Sequence, residues 1–204
     1  MSKLIKSDEA FTGLEAAIVL IAFVVVAAVF SYVVLGAGFF TTQKSQEVVY
    51  SSVDMASSSM EVLGDVYGHN PDSKESISAI EFVVGLTAGG SPVDLSKTTM
   101  VFKNDRTILD LERSTMTASD AMVTKGELSS GEWGIIYMAN ADDSSALLEN
   151  QKQFTIYAKN YKDNVNQYIG ANEAFSLELK PPTGASYGIK RTAPARIKQV
   201  NLLY

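Results

Sequence analysis

AAIVLIAFVVVAAVFSYVVLGA, Ala16 to Ala37, is the stretch that decides how this chain is organised. Coiled as a helix it spans about 33 Å, at about 1.5 Å per residue. That length matches a bilayer hydrocarbon core of about 30 Å. No charged side chain occurs from Ala16 to Gln43. A helix on a soluble domain keeps a polar face, and this one has none. Val and Ile favour helix poorly in water, but in lipid the backbone must satisfy its own hydrogen bonds. The segment therefore reads as a helix that sits in a membrane at some stage.

The residues before it are MSKLIKSDEA, Met1 to Ala10, too few and too polar for a domain. Lys3 and Lys6 on this side favour an inside N-terminus and an outside C-terminus. A secretory signal is cut after its apolar stretch, at small residues. Gly36, Ala37 and Gly38 leave that as an alternative.

Composition narrows the function. The 204 residues are 46% apolar and 20% charged, enough for a folded core. Lys plus Arg number 17 against 23 Asp plus Glu, a net charge of −6. Nucleic-acid binding needs clustered cations and is not expected. Cysteine is absent, which removes disulfides, thiolate metal sites and cysteine nucleophiles. One histidine, His69, leaves little for histidine catalysis or a histidine metal site.

Past Phe40 the pattern becomes amphipathic. Val49, Val53, Ala56, Met60, Leu63 and Tyr67 follow the alternating three- and four-residue spacing of a helical seam. Gln46, Glu47, Asp54, Glu61 and Asp65 interleave as its polar side, and Gly64, Gly68 and Asn70-Pro71-Asp72 supply stop signals. Such a seam packs either on the chain's own head or on neighbouring subunits. Gly36 and Gly38 permit a bend or a close helix crossing.

From about residue 74 the period changes to two. Strands are expected over 76–87, 98–103, 106–111, 133–138, 153–157, 175–179, 187–190 and 196–202, with turns at Ala88–Pro92 and Asn104-Asp105. Many short strands with turns between them indicate a β-sandwich. The expected fold is α+β: a long N-terminal apolar helix followed by an all-β, immunoglobulin-like sandwich head. Trp133, on an alternating segment, is a core candidate, and His69 an exposed junction residue. Asp142-Asp143 and Asp163, Asn164 and Asn166 read as solvated loops, because neither run has calcium-loop spacing. Tyr157, Tyr161 and Tyr168 read as packing residues, with an adhesive surface as the alternative. There is no nucleophile-elbow motif. No catalytic residue, cofactor or metal site is expected.

Ala10-Phe11-Thr12-Gly13-Leu14-Glu15, running into the apolar helix, resembles the class III signal junction of archaellins and type IV pilins. The distal helix text LGAGFFTTQKSQEVVYSSVDMASSSMEVLG and the closing text Phe175–Tyr204 also resemble archaellins. The family is that of archaeal motility-filament subunits. The resemblance implies a class III signal peptide over 1–10, cut between Ala10 and Phe11, with Gly13 inside the recognition stretch. It further implies an N-terminal helix over 11–68, membrane anchor and then filament core, and an outer β-sandwich over 69–204. Phe11, Glu15, Val49, Val53, Met60 and Leu63 would serve assembly. Glu15 would become the fifth residue of the mature chain and, by analogy with type IV pilins, a partner for the new Phe11 amine of its own or a neighbouring subunit; the alternative is that it lies at the membrane interface and favours the helix dipole. The leader departs from the family by carrying Asp8 and Glu9, and the chain lacks any Asn-x-Ser/Thr sequon.

The implied function is a structural subunit of the archaellum, polymerising through its helix for swimming motility. Implied partners are copies of itself and sister archaellins, a prepilin-peptidase-like signal peptidase, the archaellum membrane platform and its assembly ATPase. The membrane holds the precursor, and the product is an extracellular filament. A type IV-like adhesive pilus subunit would share Glu15. A membrane-anchored binding or enzymatic ectodomain would instead stay uncut and carry a convergent polar pocket.

Overall fold

The computed structural model describes residues 3–57, 59–70, 75–114, 122–141, 145–162 and 167–204. The chain divides into two compact units, Met1–Ser51 and Ser52–Tyr204. The first is taken up by helix α1, Lys3–Ser57, which runs on into the start of the second.

Among the described residues the head contains eleven strands: β1 (Met60–His69), β2 (Ala79–Leu86), β3 (Val93–Asp94), β4 (Thr99–Asn104), β5 (Ile108–Arg113), β6 (Glu132–Ala139), β7 (Leu147–Leu148), β8 (Gln153–Lys159), β9 (Ala174–Lys180), β10 (Tyr187–Thr192) and β11 (Val200–Leu203). Nine form one sheet, in the order β10-β9-β4-β5-β6-β8-β2-β1-β11. Its two antiparallel halves join where β5 and β6 pair in parallel, Glu112 with Glu132 and Arg113 with Trp133. At the other end Thr192 and Tyr204 exchange backbone hydrogen bonds of 2.6 and 3.3 Å. The sheet thus rolls back on itself. Phe102 and Leu177 of one half and Phe82, Trp133 and Phe154 of the other are fully buried in a single core. This is the helix-plus-β-sandwich architecture expected from the apolar run and the alternating segments. β3 and β7 add a separate two-stranded ribbon.

One boundary differs from the expectation. The helix ends at Ser57, and residues 60–68, read above as its last turns, form β1 together with His69. Met60, Leu63 and Tyr67 therefore belong to a strand and not to a helical seam. Met60 is a buried core residue opposite Leu86. Leu63 lies opposite Val83, and its side chain fills the space a Cβ on Gly85 would need. The switch is fixed where the chain leaves α1. The Ser59 carbonyl accepts from the Thr87 amide at 3.2 Å, and the two hydroxyls are 2.6 Å apart. A Ser57-Ser58-Ser59 run weakens helix, since serine competes for backbone hydrogen bonds. Gly64, at φ +77°, then sits in an irregularity between Leu63 and Tyr67 that a side chain would strain. The closing strand is also shorter than expected, starting at Val200 and not near residue 196.

The outer face of β6, β8 and β2 is partly covered by the segment from Met122 to Leu128. Val123 donates its amide to the Ile135 carbonyl at 2.8 Å, and Val123, Leu128, Ala79 and Tyr157 make a second apolar cluster. Gly134 allows this approach, because a Cβ there would lie 2.4 Å from the Val123 side chain.

Candidate assembly surface

Among the described residues, most of the exposed large apolar side chains lie on α1. The described side chains from Gly13 onward are exposed in the single subunit, and the span Gly13–Val53 is long and apolar enough to cross a membrane. Glu15 is the one charged side chain between Gly13 and Gln43. The hydroxyls of Thr41 and Thr42 donate back to the carbonyls of Ala37 and Gly38, each at 2.9 Å. These two hydroxyls are thus closed within the helix, as apolar surroundings demand. The helix runs unbroken through Gly36 and Gly38. Farther along, Lys44 and Glu47 pair at 2.6 Å on the exposed surface.

Among the expected site residues, Gly13, Glu15, Val49 and Val53 lie on α1, exposed. Ala10 and Phe11 fall within its first turns, and their side chains lie outside the described residues, as does that of Asp54. Met60 and Leu63 are displaced to the head. The runs Asp142-Asp143 and Asp163, Asn164 and Asn166 lie outside the described residues. Among the described residues no three acidic or histidine side chains gather as a metal site.

The head holds a polar cluster that sequence reasoning missed. His69 is not an exposed junction but a half-buried residue at the end of β1, its Nε2 2.8 Å from Glu81 Oε2. Lys125 pairs with the same Glu81 oxygen at 2.6 Å and lies over the Tyr157 ring, 5.2 Å from its centre. Tyr157 is buried, while Tyr161 and Tyr168 stack at 5.0 Å. Only cross-strand register, which puts Tyr67 opposite Glu81 and Glu81 opposite Tyr157, brings these residues together.

Burial lowers the His69 pKa from its ordinary value, outweighing the raising effect of Glu81. The unfolded chain therefore takes up the imidazole proton first as pH falls. Stability is full above the unfolded histidine range, near 6.5, and declines below it until the folded His69 also protonates. Thermal unfolding of the head between pH 7.5 and 5.5 should show this decline, and His69→Gln should flatten it. An equal slope in the variant would assign the decline to carboxylates.

The comparisons with known proteins rest on the same two parts. A model of the archaeal-type flagellin family matches residues 10–191. The chain belongs to the archaeal-type flagellin family. Probable flagellin 1 of Archaeoglobus fulgidus is 39% identical over 205 residues, covering 98% of both chains. A subunit in the structure of the archaeal flagellum of Methanospirillum hungatei superposes with a TM-score of 0.70 at 32% identity, covering 94% of this chain and 99% of that one. The crystal structure of flagellin FlaB1 from Methanocaldococcus jannaschii shares the fold, with a TM-score of 0.54 at 20% identity over 71% of this chain and 95% of that one. This flagellin is a structural subunit of the archaellum, assembling into a helical polymer on the cell surface. The family's role is structural and not catalytic.

Proposed function

We propose that this flagellin passes from a membrane-held precursor to the filament through α1. The precursor is anchored by the charge-free run, with Lys3 and Lys6 inside. A prepilin-peptidase-like signal peptidase cuts between Ala10 and Phe11, reading Gly13 within the junction. The archaellum membrane platform and its assembly ATPase then move the helix from lipid into the filament core, beside copies of itself or sister flagellins.

The observation that carries this reading is Glu15, a lone carboxylate at the head of an apolar helix. A carboxylate brought into apolar surroundings needs a partner. Cutting after Ala10 creates one, the Phe11 amine. Phe11 and Glu15 are four residues apart and share a helix face. A neighbouring subunit's amine has the same chemistry. The transfer from lipid to equally apolar helices gains little from burial alone, so packing and this pairing supply the direction. The start of the family match at residue 10 supports the same junction.

N-terminal sequencing of isolated filaments is expected to begin at Phe11. Recovery of Met1, or a start beyond Gly38, would overturn the reading. Gly13→Val should slow the cut, leaving precursor in the membrane fraction. Unchanged processing would remove Gly13 from the recognition stretch.

A further inference from the structure

The outer face of β1 and β11 carries an apolar strip that the fold does not use. Register places Tyr67 opposite Leu202 and His69 opposite Val200. The flanking pair, Val66 and Leu203, is buried in the core, and so is Asn201 of the intervening Gly68–Asn201 pair. Tyr67, Val200 and Leu202 therefore point outward and are 40, 53 and 38% exposed. Tyr204 follows on the same side of the alternation. β11 is thus apolar on its outer face while Leu203 serves the core, the pattern of a strand covered on both sides.

The chain itself indicates what fits there. The outer face of the opposite half is charged: Lys103 and Lys190 share one row across β4, β9 and β10, and Asp110 and Glu178 share the next. It offers no apolar complement. Ile108 and Tyr137 are exposed singly on separate strands. The remaining continuous apolar surface among the described residues is α1, whose distal part exposes Val48, Val49, Val53 and Met55. That part also continues the surface assigned above to polymerisation.

We propose that the distal part of α1 from a second copy of this chain, Val48 to Met55, seats on the Tyr67–Val200–Leu202 strip in the filament. The contact joins each head to a neighbour's helix, so it is head to tail, the kind of contact an open helical filament repeats. It rests on the filament reading of α1, which it deepens by naming the surface on the head.

The absence of cysteine gives a clean background for testing this. Full-length protein carrying Val49→Cys and Leu202→Cys is produced in its own cells, and isolated filaments are treated with a short bismaleimide. The expected result is a ladder of dimers, trimers and higher multimers, absent from either single variant. Leu202→Cys should also lose reactivity toward a water-soluble maleimide in filaments and regain it in detergent-dispersed subunits. If Leu202→Cys prevents assembly, Val200→Cys takes its place. Dimers from Leu202→Cys alone would overturn the proposal in favour of head-to-head pairing. Equal maleimide reactivity in filaments and dispersed subunits would overturn it in favour of a solvent-exposed strip. Protection in the membrane-held precursor but not in filaments would assign the strip to lipid. Filaments with a reactive Leu202→Cys would remove this contact alone, whereas helix residues that stay reactive throughout the filament would remove the reading of α1 beneath it.

Discussion

Val53→Asp is expected to abolish filaments while leaving the precursor inserted and cut. Val53 is 57% exposed in the single subunit, so the substitution disturbs no packing there. Val and Asp have similar helix propensities, so α1 itself changes by a few tenths of a kcal/mol at most. The charge-free run Ala16–Gln43 is untouched, and insertion depends on that run. Assembly is different on the reading proposed above, in which Val53 lies against neighbouring subunits. Desolvating an unpaired carboxylate costs several kcal/mol even after relaxation, and a filament repeats that cost at every subunit. Asp54→Ala, next in the chain, is the control and should leave filaments in place. The measurement is a blot of cell fractions beside electron microscopy of the cell surface. Normal filaments in Val53→Asp would show this helix face to be solvent-exposed in the polymer, and the packing argument would fall with it.

The second large effect concerns where the head begins. A fragment from Ser59 to Tyr204 should be soluble, β-rich and cooperatively folded, whereas one starting at residue 72 should not fold. β1 lies inside the sheet, between β2 and β11. Removing it deletes the buried Met60 and Val66 and strips β11 of its hydrogen-bonded neighbour. It also uncovers the edge of β2 along most of its length. Loss of two core side chains alone costs about 4–10 kcal/mol, at about 2–5 each for large-to-small truncation, against a total stability of about 5–15 kcal/mol for a domain. Circular dichroism and thermal unfolding of the two fragments decide the matter. A cooperative transition in the shorter one would mean that β1 is an accessory strand and that the helix boundary carries no weight for the head.

The second prediction turns on ten residues, MEVLGDVYGH, and these mark the limit of what sequence can say here. Met60, Leu63 and Tyr67 fit a helical seam, while Met60, Val62 and Val66 fit alternation, so both periods are present in one segment. Local propensity does not separate them. The edge of β2, which pairs with Met60 through Leu63 and again from Tyr67, does. That partner comes from residues 79–86, and the Thr87 clamp on Ser59 lies 28 positions along the chain. The same holds for the site. Glu15 and the charge-free run are visible without coordinates, because their meaning comes from being alone on an apolar helix. The His69–Glu81–Lys125 cluster and the Tyr67–Leu202 strip are not, because each joins residues on strands distant in sequence.

The sequence by itself determined the two-part design: an apolar helix of membrane length and a run of alternating segments that had to bury one face. These are local properties, set by which residues recur at which period. Tertiary structure alone decided that the helix stops at Ser57, that β5 and β6 join the halves in parallel, and that the sheet closes through Thr192 and Tyr204. It also decided that Gly134 must stay bare for Val123 to lie over it. Those outcomes depend on which strand edges meet, and pairing edges are chosen by the whole core and not by any single segment.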